Sequence, residues 1–235
     1  MVSMTTDDIF QRSLLLVGDE AMRRMADVRV LLFGVGGVGS WCAEALIRSG
    51  IGHLTMVDPD CVEPSNINRQ LPATTLTVGQ PKVEVMRERM LSINPDADIK
   101  ARQERFTADS ADGFCLEEFD YVIDAIDSLQ DKLELILLAT SSVQPAALTL
   151  YSSMGAARKI DPTQVRVSEF WKVDGCPLAA SLRKRMRRQQ RFPQRKFRCV
   201  WSPERAEAAQ PKGTSVTVTA AFGLMLASLV VRDLL

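Results

Sequence analysis

A glycine-rich segment, residues 34–40 with the sequence GVGGVGS, follows an apolar run at residues 28–33 that predicts a buried β-strand. Glycines at a strand–helix junction allow a tight turn and a close approach of the backbone to phosphate, and the N-terminus of the following helix attracts negative charge. Asp58 lies 19 residues beyond Gly39, where a carboxylate at the end of a second strand can bind ribose hydroxyl groups. This pattern predicts a nucleotide site but does not separate nicotinamide cofactors from ATP.

Three charged residues beyond this segment favour a triphosphate. Arg69 lies in the loop after the second predicted strand, and Lys82 opens the following predicted helix. A forked Arg and a point-charge Lys are suited to neutralising phosphate oxygens. Asp127 stands at the end of another predicted strand, where a carboxylate can hold Mg²⁺ that bridges phosphates. Convergence of Arg69, Lys82 and Asp127 on one crevice therefore predicts binding of ATP with Mg²⁺.

The elements that must position these residues alternate along the chain. Buried strands are predicted at 28–33, 53–57, 121–126, 145–151 and 164–170, and helices at 41–49, 81–93 and 131–140. Strands separated by helices predict an α/β fold with a Rossmann-like, doubly wound, mostly parallel sheet and helices on both faces. We expect one domain over residues 1–235, with residues 176–212 as a basic, partly flexible insertion before a C-terminal helix.

Composition excludes several other kinds of chemistry. The chain has 29 basic and 29 acidic residues, five cysteines and one histidine, His53. A single histidine excludes a His-pair metal site and disfavours a His-based triad, and without a C-x-x-C pair a zinc site is not expected. The apolar run 216–231 is shorter than the roughly 20 residues of a membrane span, so it predicts a buried helix. We expect a cytoplasmic protein without a membrane partner.

A basic run near the C-terminus, residues 183–198, has two interpretations. It contains no acidic residue and could be a solvated loop. Alternatively, its cations, interleaved with Phe192, Phe197 and Trp201, could neutralise RNA phosphates and stack an unpaired base. The nine candidate RNA-binding residues are Arg183, Lys184, Arg185, Arg187, Arg188, Arg191, Arg195, Lys196 and Arg198.

Four motifs in order, GVGGVGS, VDPDCVEPSNINRQ, VGQPK and DAIDS, resemble the ATP-dependent adenylating family that includes ubiquitin-activating enzymes and the bacterial activators of sulfur-carrier proteins. The later segments GAARKIDPTQVRVSEF, CPLAASLRKR and CVWS are similar to the tRNA threonylcarbamoyladenosine dehydratase branch of that family. Sulfur-carrier activators usually hold zinc in two C-x-x-C pairs, which this sequence lacks. The resemblance implies a homodimer that uses ATP and Mg²⁺ and acts on tRNA.

The resemblance also implies roles for individual residues. Arg12 matches an arginine that reaches the partner subunit's ATP in some members, and Asp127 falls on the Mg²⁺ position. Arg69, Lys82, Asp127 and Arg12 are therefore the expected catalytic residues. The expected nucleotide ligands are Gly34, Gly36, Gly37, Gly39, Asp58, Asp60, Asn66, Arg69, Lys82 and Asp127.

One departure from the branch concerns sulfur transfer. Some dehydratase-branch members carry a cysteine just before the final apolar helix, implicated in receiving sulfur from a cysteine desulfurase. Residues 212–215 occupy that place with the sequence KGTS. The substitution argues against a desulfurase partner.

We therefore expect ATP-dependent cyclisation of a threonylcarbamoyl group on tRNA through an acyl-adenylate. A competing hypothesis is adenylation of the C-terminus of a ubiquitin-like or sulfur-carrier protein. Two functions of different classes also fit the residues: a nicotinamide-dependent oxidoreductase and a non-catalytic tRNA-binding module.

Overall fold

A computed structural model describes residues 6–205 and 213–235. Its strands are β1 (Arg29–Phe33), β2 (His53–Val57), β3 (Asp98–Arg102), β4 (Tyr121–Asp124), β5 (Thr149–Ser153), β6 (Arg166–Glu169) and β7 (Arg198–Trp201). Its helices are α1 (Thr6–Asp27), α2 (Gly39–Arg48), α3 (Lys82–Ile93), α4 (Leu129–Ala139), α5 (Pro177–Gln189) and α6 (Val216–Asp233).

The seven strands form one sheet in the order β3-β2-β1-β4-β5-β7-β6. Every pairing is parallel except that of β6 with β7. Strand order reverses at β1, which lies between β2 and β4, so the crevice beyond the carboxyl ends of these strands is the expected ligand site of such a sheet. The predicted doubly wound, mostly parallel sheet is confirmed.

Helices cover both faces of the sheet because its central strands are apolar on both sides. In β1, Val30 and Leu32 pack in one buried cluster with α2, α3 and α6, whereas Leu31 and Phe33 pack in a second cluster with α4 and α5. All four side chains are 0–1% exposed. A near-continuous apolar run is typical of such doubly covered parallel strands.

The apolar run near the C-terminus forms α6. It is the one helix among the described residues that is long and apolar enough to cross a membrane, and 44% of that 18-residue window is buried. Val218, Phe222 and Leu226 are completely buried and pack with α2 against the sheet. The predicted helix is confirmed, and one side of it is buried, whereas Leu224 is 50% exposed.

The predicted elements differ from the structure mainly at polar segments. The polar helix α1 and the half-exposed edge strand β3 were not predicted. Within residues 176–212, α5 packs on the sheet and β7 pairs with β5 and β6, so part of the expected insertion belongs to the sheet itself. Residues 206–212 lie outside the described part of the chain.

Candidate active site at the carboxyl edge of the sheet

The glycine-rich segment forms the turn between β1 and α2. Gly34 has φ of 88°, and a Cβ atom there would lie 2.6 Å from the carbonyl oxygen of Ala125. A Cβ atom on Gly39, where α2 begins, would lie 1.8 Å from the carbonyl oxygen of Gly34. These distances exclude a side chain, so both glycines are required by the close approach of β1, α2 and the chain after β4. The N-terminus of α2 thereby opens at the crevice, where it can attract an anion.

Asp58 is fixed beside this turn immediately after β2. Its carboxylate is 5% exposed and accepts hydrogen bonds from the N–H groups of Val35, at 2.6 Å, and Asp60, at 2.9 Å. Burial raises the pKa of Asp58, although the two N–H bonds and nearby Lys82 oppose that increase. A buried carboxylate with remaining acceptor capacity is suited to binding hydroxyl groups of a ribose.

Lys82, the first residue of α3, lies on the same side of the turn. It is 5% exposed, and its Nζ lies 2.7 Å from Asp60 and 4.0 Å from Asp58. Lys82 also donates its backbone N–H to the carbonyl oxygen of Asp60. The predicted ligands Asp58, Asp60 and Lys82 therefore form one charged group beside Val35.

Arg69 lies over the middle of the glycine turn. Its Cγ would be 3.3 Å from a Cβ atom on Gly37, and its carbonyl oxygen accepts a hydrogen bond from Trp41 Nε1 at 3.1 Å. The guanidinium group donates to the carbonyl oxygen of Ser65 at 2.9 Å and to Asn68 Oδ1 at 2.8 Å. These contacts leave other guanidinium donors available while holding the side chain against the turn.

Asn66 shapes the loop that carries Arg69. It ends a 3₁₀ turn, Pro64–Asn66, is 6% exposed, and accepts a hydrogen bond from the N–H of Glu63 through Oδ1. Its Nδ2 donates to Ser65 Oγ at 3.3 Å. In this conformation Asn66 stabilises the loop, and its expected contact with nucleotide stays a prediction.

Asp127 occupies the loop between β4 and α4 and is exposed at the crevice. It follows Ala125 by two residues, and Ala125 is the residue that the glycine turn approaches most closely. The three charged residues Arg69, Lys82 and Asp127 therefore lie on segments that each pack against the glycine turn or against Asp58 beside it.

A buried ion pair that the sequence did not reveal holds the Asp127 loop. Asp124 and Lys132 are both completely buried, with Lys132 Nζ 2.8 Å from Asp124 Oδ1. Lys132 also donates to the carbonyl oxygen of Ile126 at 2.9 Å, and Ser152 Oγ donates to Asp124 Oδ2 at 2.6 Å. An ion pair in a dry environment is stable only with such additional bonds. The sequence feature that could have indicated this ion pair is the first aspartate of DAIDS, with a lysine eight positions later.

Gln70 is a further residue that the sequence did not reveal. It is 8% exposed, and its Oε1 has no hydrogen-bond partner among the described residues. Its Nε2 would lie 3.7 Å from a Cβ atom on Gly36. Gln70 therefore supplies a buried, unused acceptor beside the glycine turn.

Several predicted residues lie elsewhere or have other contacts. Arg12 is exposed in α1, before a kink at Gly18, and makes no side-chain bond with another described residue. Phe197 and Trp201 are 4% and 6% exposed, so the prediction that they stack an unpaired base is wrong. Both side chains pack in the cluster beneath α5, because the basic run enters the sheet as β7.

The acidic groups at the edge restrict how a divalent ion could bind. No cluster of three or more His, Cys, Asp and Glu side chains suited to a metal occurs in residues 6–205 and 213–235. Mg²⁺ is commonly held by one or two carboxylates together with substrate phosphates. The exposed carboxylate of Asp127 fits that donor set.

The edge combines the N-terminus of a helix, a buried carboxylate and two cations beside one glycine turn. A model of the ThiF family matches residues 10–235 of this sequence. The chain belongs to the ThiF family. The resemblance to the adenylating family is thereby confirmed, and the ThiF assignment covers the sheet, the glycine turn and α6 together.

Three tRNA threonylcarbamoyladenosine dehydratases are similar to this chain over most of its length. The tRNA threonylcarbamoyladenosine dehydratase of Haemophilus influenzae is 34% identical over 236 residues, covering 92% of this chain and 89% of that protein. The enzyme of the same name from Bacillus subtilis is 40% identical over 180 residues, covering 77% of this chain and 69% of that protein. The crystal structure of the E. coli tRNA N6-threonylcarbamoyladenosine dehydratase in complex with ATP has a TM-score of 0.90 and 35% identity, covering 100% of this chain and 96% of that chain.

Proposed function

We propose that this protein catalyses the ATP-dependent dehydration of threonylcarbamoyladenosine in tRNA, closing a ring beside the anticodon. One observation carries the proposal: Arg69 and Asp58 contact a glycine turn at the switch point of the sheet, Lys82 lies beside Asp58, and Asp127 lies in the loop after β4. That arrangement is suited to a nucleoside triphosphate. The identity with dehydratases over nearly the full chain supports the choice of substrate.

The reaction needs activation because a carboxylate has a poor leaving group. The substrate carboxylate attacks the α-phosphorus of ATP, giving an acyl-adenylate and releasing pyrophosphate. The carbamoyl nitrogen or oxygen of the same side chain then attacks the activated carbonyl carbon, which closes the ring and expels AMP. Net loss of one water is thereby coupled to cleavage of ATP.

The side chains of the crevice supply charge stabilisation and position. Asp58 binds the ribose, and Arg69 and Lys82 neutralise charge that develops on phosphate oxygens. Asp127 would hold Mg²⁺, and that ion would supply further neutralisation of the phosphates. Ring closure within one bound molecule needs little beyond orientation, since intramolecular attack has a high effective concentration.

A covalent enzyme intermediate is not needed, and Cys176 and Cys199 do not favour one. Cys176 and Cys199 are 2% and 0% exposed. Burial raises the pKa of the Cys199 thiol well above its ordinary value, which keeps it protonated. We therefore assign both residues to packing.

The proposed assembly is a homodimer in the cytoplasm, in which Arg12 of each subunit reaches the other subunit's ATP. The exposed position of Arg12 in α1 supports this. Leu15 and Leu16 on the same helix are 75% and 84% exposed, so this end of the chain offers an apolar surface to a partner.

The proposal is tested by mass analysis of tRNA nucleosides after incubation with the protein, ATP and Mg²⁺. We expect the modified adenosine to lose the mass of one water, with AMP and pyrophosphate formed in equal amounts. Adenylation of a carrier protein without any change in tRNA would favour the carrier-activating function instead. Stabilisation by NAD(H) instead of ATP–Mg²⁺ would contradict both.

The raised pKa of Asp58 predicts a pH dependence of nucleotide binding. Ribose hydroxyls need the ionised carboxylate as acceptor, so affinity for ATP should fall as the pH decreases through the folded-state pKa, which lies above the ordinary aspartate value. The stability of the fold changes with pH in the opposite direction. The folded state holds the proton of the Asp58 carboxyl more tightly than the unfolded state does. The stability that this proton contributes is therefore lost as the pH rises through the folded-state pKa. The ATP-induced increase in Tm, measured from pH 4 to pH 8, reports the first effect.

Asp58→Asn is the control for this prediction. It should bind ATP weakly at every pH and lose the pH dependence attributed to Asp58. A variant with the same affinity and the same pH curve as the wild type would remove Asp58 from the ribose site.

A further inference from the structure

The basic run divides into cations with internal partners and cations without them. Arg191 forms two hydrogen bonds to the carboxylate of Glu134, at 2.9 and 2.8 Å, and Arg195 donates to backbone carbonyl oxygens, including that of Ala139 at 2.8 Å. Both guanidinium groups tie the chain after α5 to α4. Charge used in this way is not free to bind a separate anion.

Two more arginines of the basic run also have partners within the protein. Arg183 donates to the carbonyl oxygens of Phe170 and Val173 at 3.3 and 2.9 Å. Arg198 pairs with Asp233 at 3.2 Å and lies over the ring of Tyr151. Four of the nine predicted RNA-binding residues therefore have roles in the fold.

The remaining cations concentrate on one helix. Side chains of the α5 basic face make no hydrogen bond or ion pair with another described residue; this face consists of Lys184, Arg185, Arg187 and Arg188. Lys184, Arg187 and Arg188 are exposed, and Arg185 is partly buried. The opposite side of α5 packs into the core through Ala179, Leu182 and Met186, all completely buried. Helical spacing thus presents four uncompensated positive charges on one side.

The α5 helix begins near the candidate active site, and its basic residues extend away from it along the helix axis. The first turn of α5 lies at the carboxyl edge of the sheet, where the Cβ of Leu178 would be 3.5 Å from a Cβ atom on Gly155, two residues beyond β5. At about 1.5 Å per residue, Lys184 and Arg188 lie roughly 10 and 17 Å along the axis from the start of the helix. A substrate with one nucleotide in the crevice would meet these cations only with a neighbouring part of its backbone.

The chemistry of this face favours phosphates over unpaired bases. Proteins that bind single strands stack bases on exposed aromatic side chains placed among the cations. Here Phe197 and Trp201 are buried, and α5 itself contains no aromatic residue. The exposed aromatic pair Trp171 and Phe192, with ring centroids 6.4 Å apart, lies outside the helix.

The distribution of charge along the whole chain favours the approach of a polyanion to α5. Outside residues 183–198 the chain has 20 basic and 29 acidic residues, whereas that run has nine basic and no acidic ones. A polyanion is therefore repelled by most of the protein and attracted to the neighbourhood of α5.

We propose that the α5 basic face binds the phosphate backbone of the tRNA stem next to the modified nucleotide, and so sets the position of that nucleotide in the crevice. This inference rests on the proposed function for its substrate. The contacts are electrostatic and independent of base sequence, so the α5 basic face controls affinity for tRNA and leaves the chemical step to the crevice.

The salt dependence of tRNA binding tests the inference. In Lys184→Gln/Arg188→Gln, we expect the slope of log affinity against log salt to decrease by about two, and affinity at physiological salt to fall roughly tenfold. KM for tRNA should rise while kcat at saturating tRNA and the ATP-induced shift in Tm stay unchanged. The matched control is Lys100→Gln/Arg232→Gln, which removes two exposed cations from β3 and from the end of α6 and should leave the slope unchanged.

Further measurements distinguish failure of the inference about α5 from failure of the proposed function. An anticodon-arm hairpin should retain the α5-dependent slope, whereas an unstructured RNA of equal length should not. Equal slopes for the wild type and the α5 variant would overturn the inference, and so would an equal effect of the α5 substitutions on the slopes for the hairpin and for the unstructured RNA. In either case dehydration by the wild type would sustain the proposed function. Binding of polyglutamate as tightly as tRNA would overturn it in favour of an acidic protein partner. Absence of dehydration by the wild type, with the α5-dependent slope intact, would instead contradict the proposed function.

Discussion

Asp127→Ala is expected to lower the rate of ATP-dependent dehydration by about a hundredfold to a thousandfold, because the variant would lose the proposed carboxylate ligand of the Mg²⁺ that would neutralise charge on the phosphate oxygens. Arg69→Ala should have a comparable effect, since Arg69 lies against Gly37 in the glycine turn. Single-turnover formation of the cyclised nucleoside measures the loss. Binding of tRNA should be largely retained in both variants.

Asp109→Ala is the matched control for Asp127→Ala. Asp109 is also an exposed aspartate in a loop, but it lies between β3 and β4 and no contact places it at the glycine turn. Its substitution should leave the rate within a factor of about two of the wild type, as expected of a surface position. Near-normal turnover of either crevice variant would remove the adenylation mechanism as described.

Lys132→Met should lower the free energy of unfolding by about 3–5 kcal/mol. The substitution keeps an unbranched side chain that is one atom shorter, but it leaves the carboxylate of Asp124 buried without a counter-charge. It also removes the bond to the carbonyl oxygen of Ile126. Urea denaturation measures the loss. Because Ile126 directly precedes Asp127, the ATP–Mg²⁺-induced increase in Tm should also decrease.

The double variant Asp124→Asn/Lys132→Met distinguishes a buried charge from a general packing defect. Removing both charges should recover part of the lost stability, since the isolated carboxylate causes most of the cost. Arg23→Met removes an exposed partner of Glu20 and should change stability by less than about 1 kcal/mol. A double variant no more stable than Lys132→Met would show that packing, not charge, causes the effect.

Sequence patterns predicted strands β1 and β2 better than β3 and β7. The parallel strand β1 is a near-continuous apolar run, and β2 is mostly apolar, so their burial follows largely from composition. The edge strand β3 alternates exposed and buried residues with several charges, and β7 begins in the basic run. Both strands depend on pairing with distant segments, which local pattern does not encode.

The α1 helix shows a similar limit. Gly18 interrupts it with a positive φ, and its mean composition is polar. Its buried residues Ala21 and Met25 are held by packing in the core that includes α2, not by strong local preference.

The sequence by itself determined the parallel sheet, the glycine turn and the types of residue at its edge, because these depend on local periodicity and on glycine's freedom from a side chain. Only the tertiary structure decided which charges are free. Arg191 is bound by Glu134, 57 positions away, and Lys132 by Asp124 inside the protein, whereas Lys184 and Arg188 have no such partner among the described residues. The sequence gives the sign of each charge. Whether that charge is neutralised depends on which groups lie next to it after folding, since Coulomb energy depends on distance and burial.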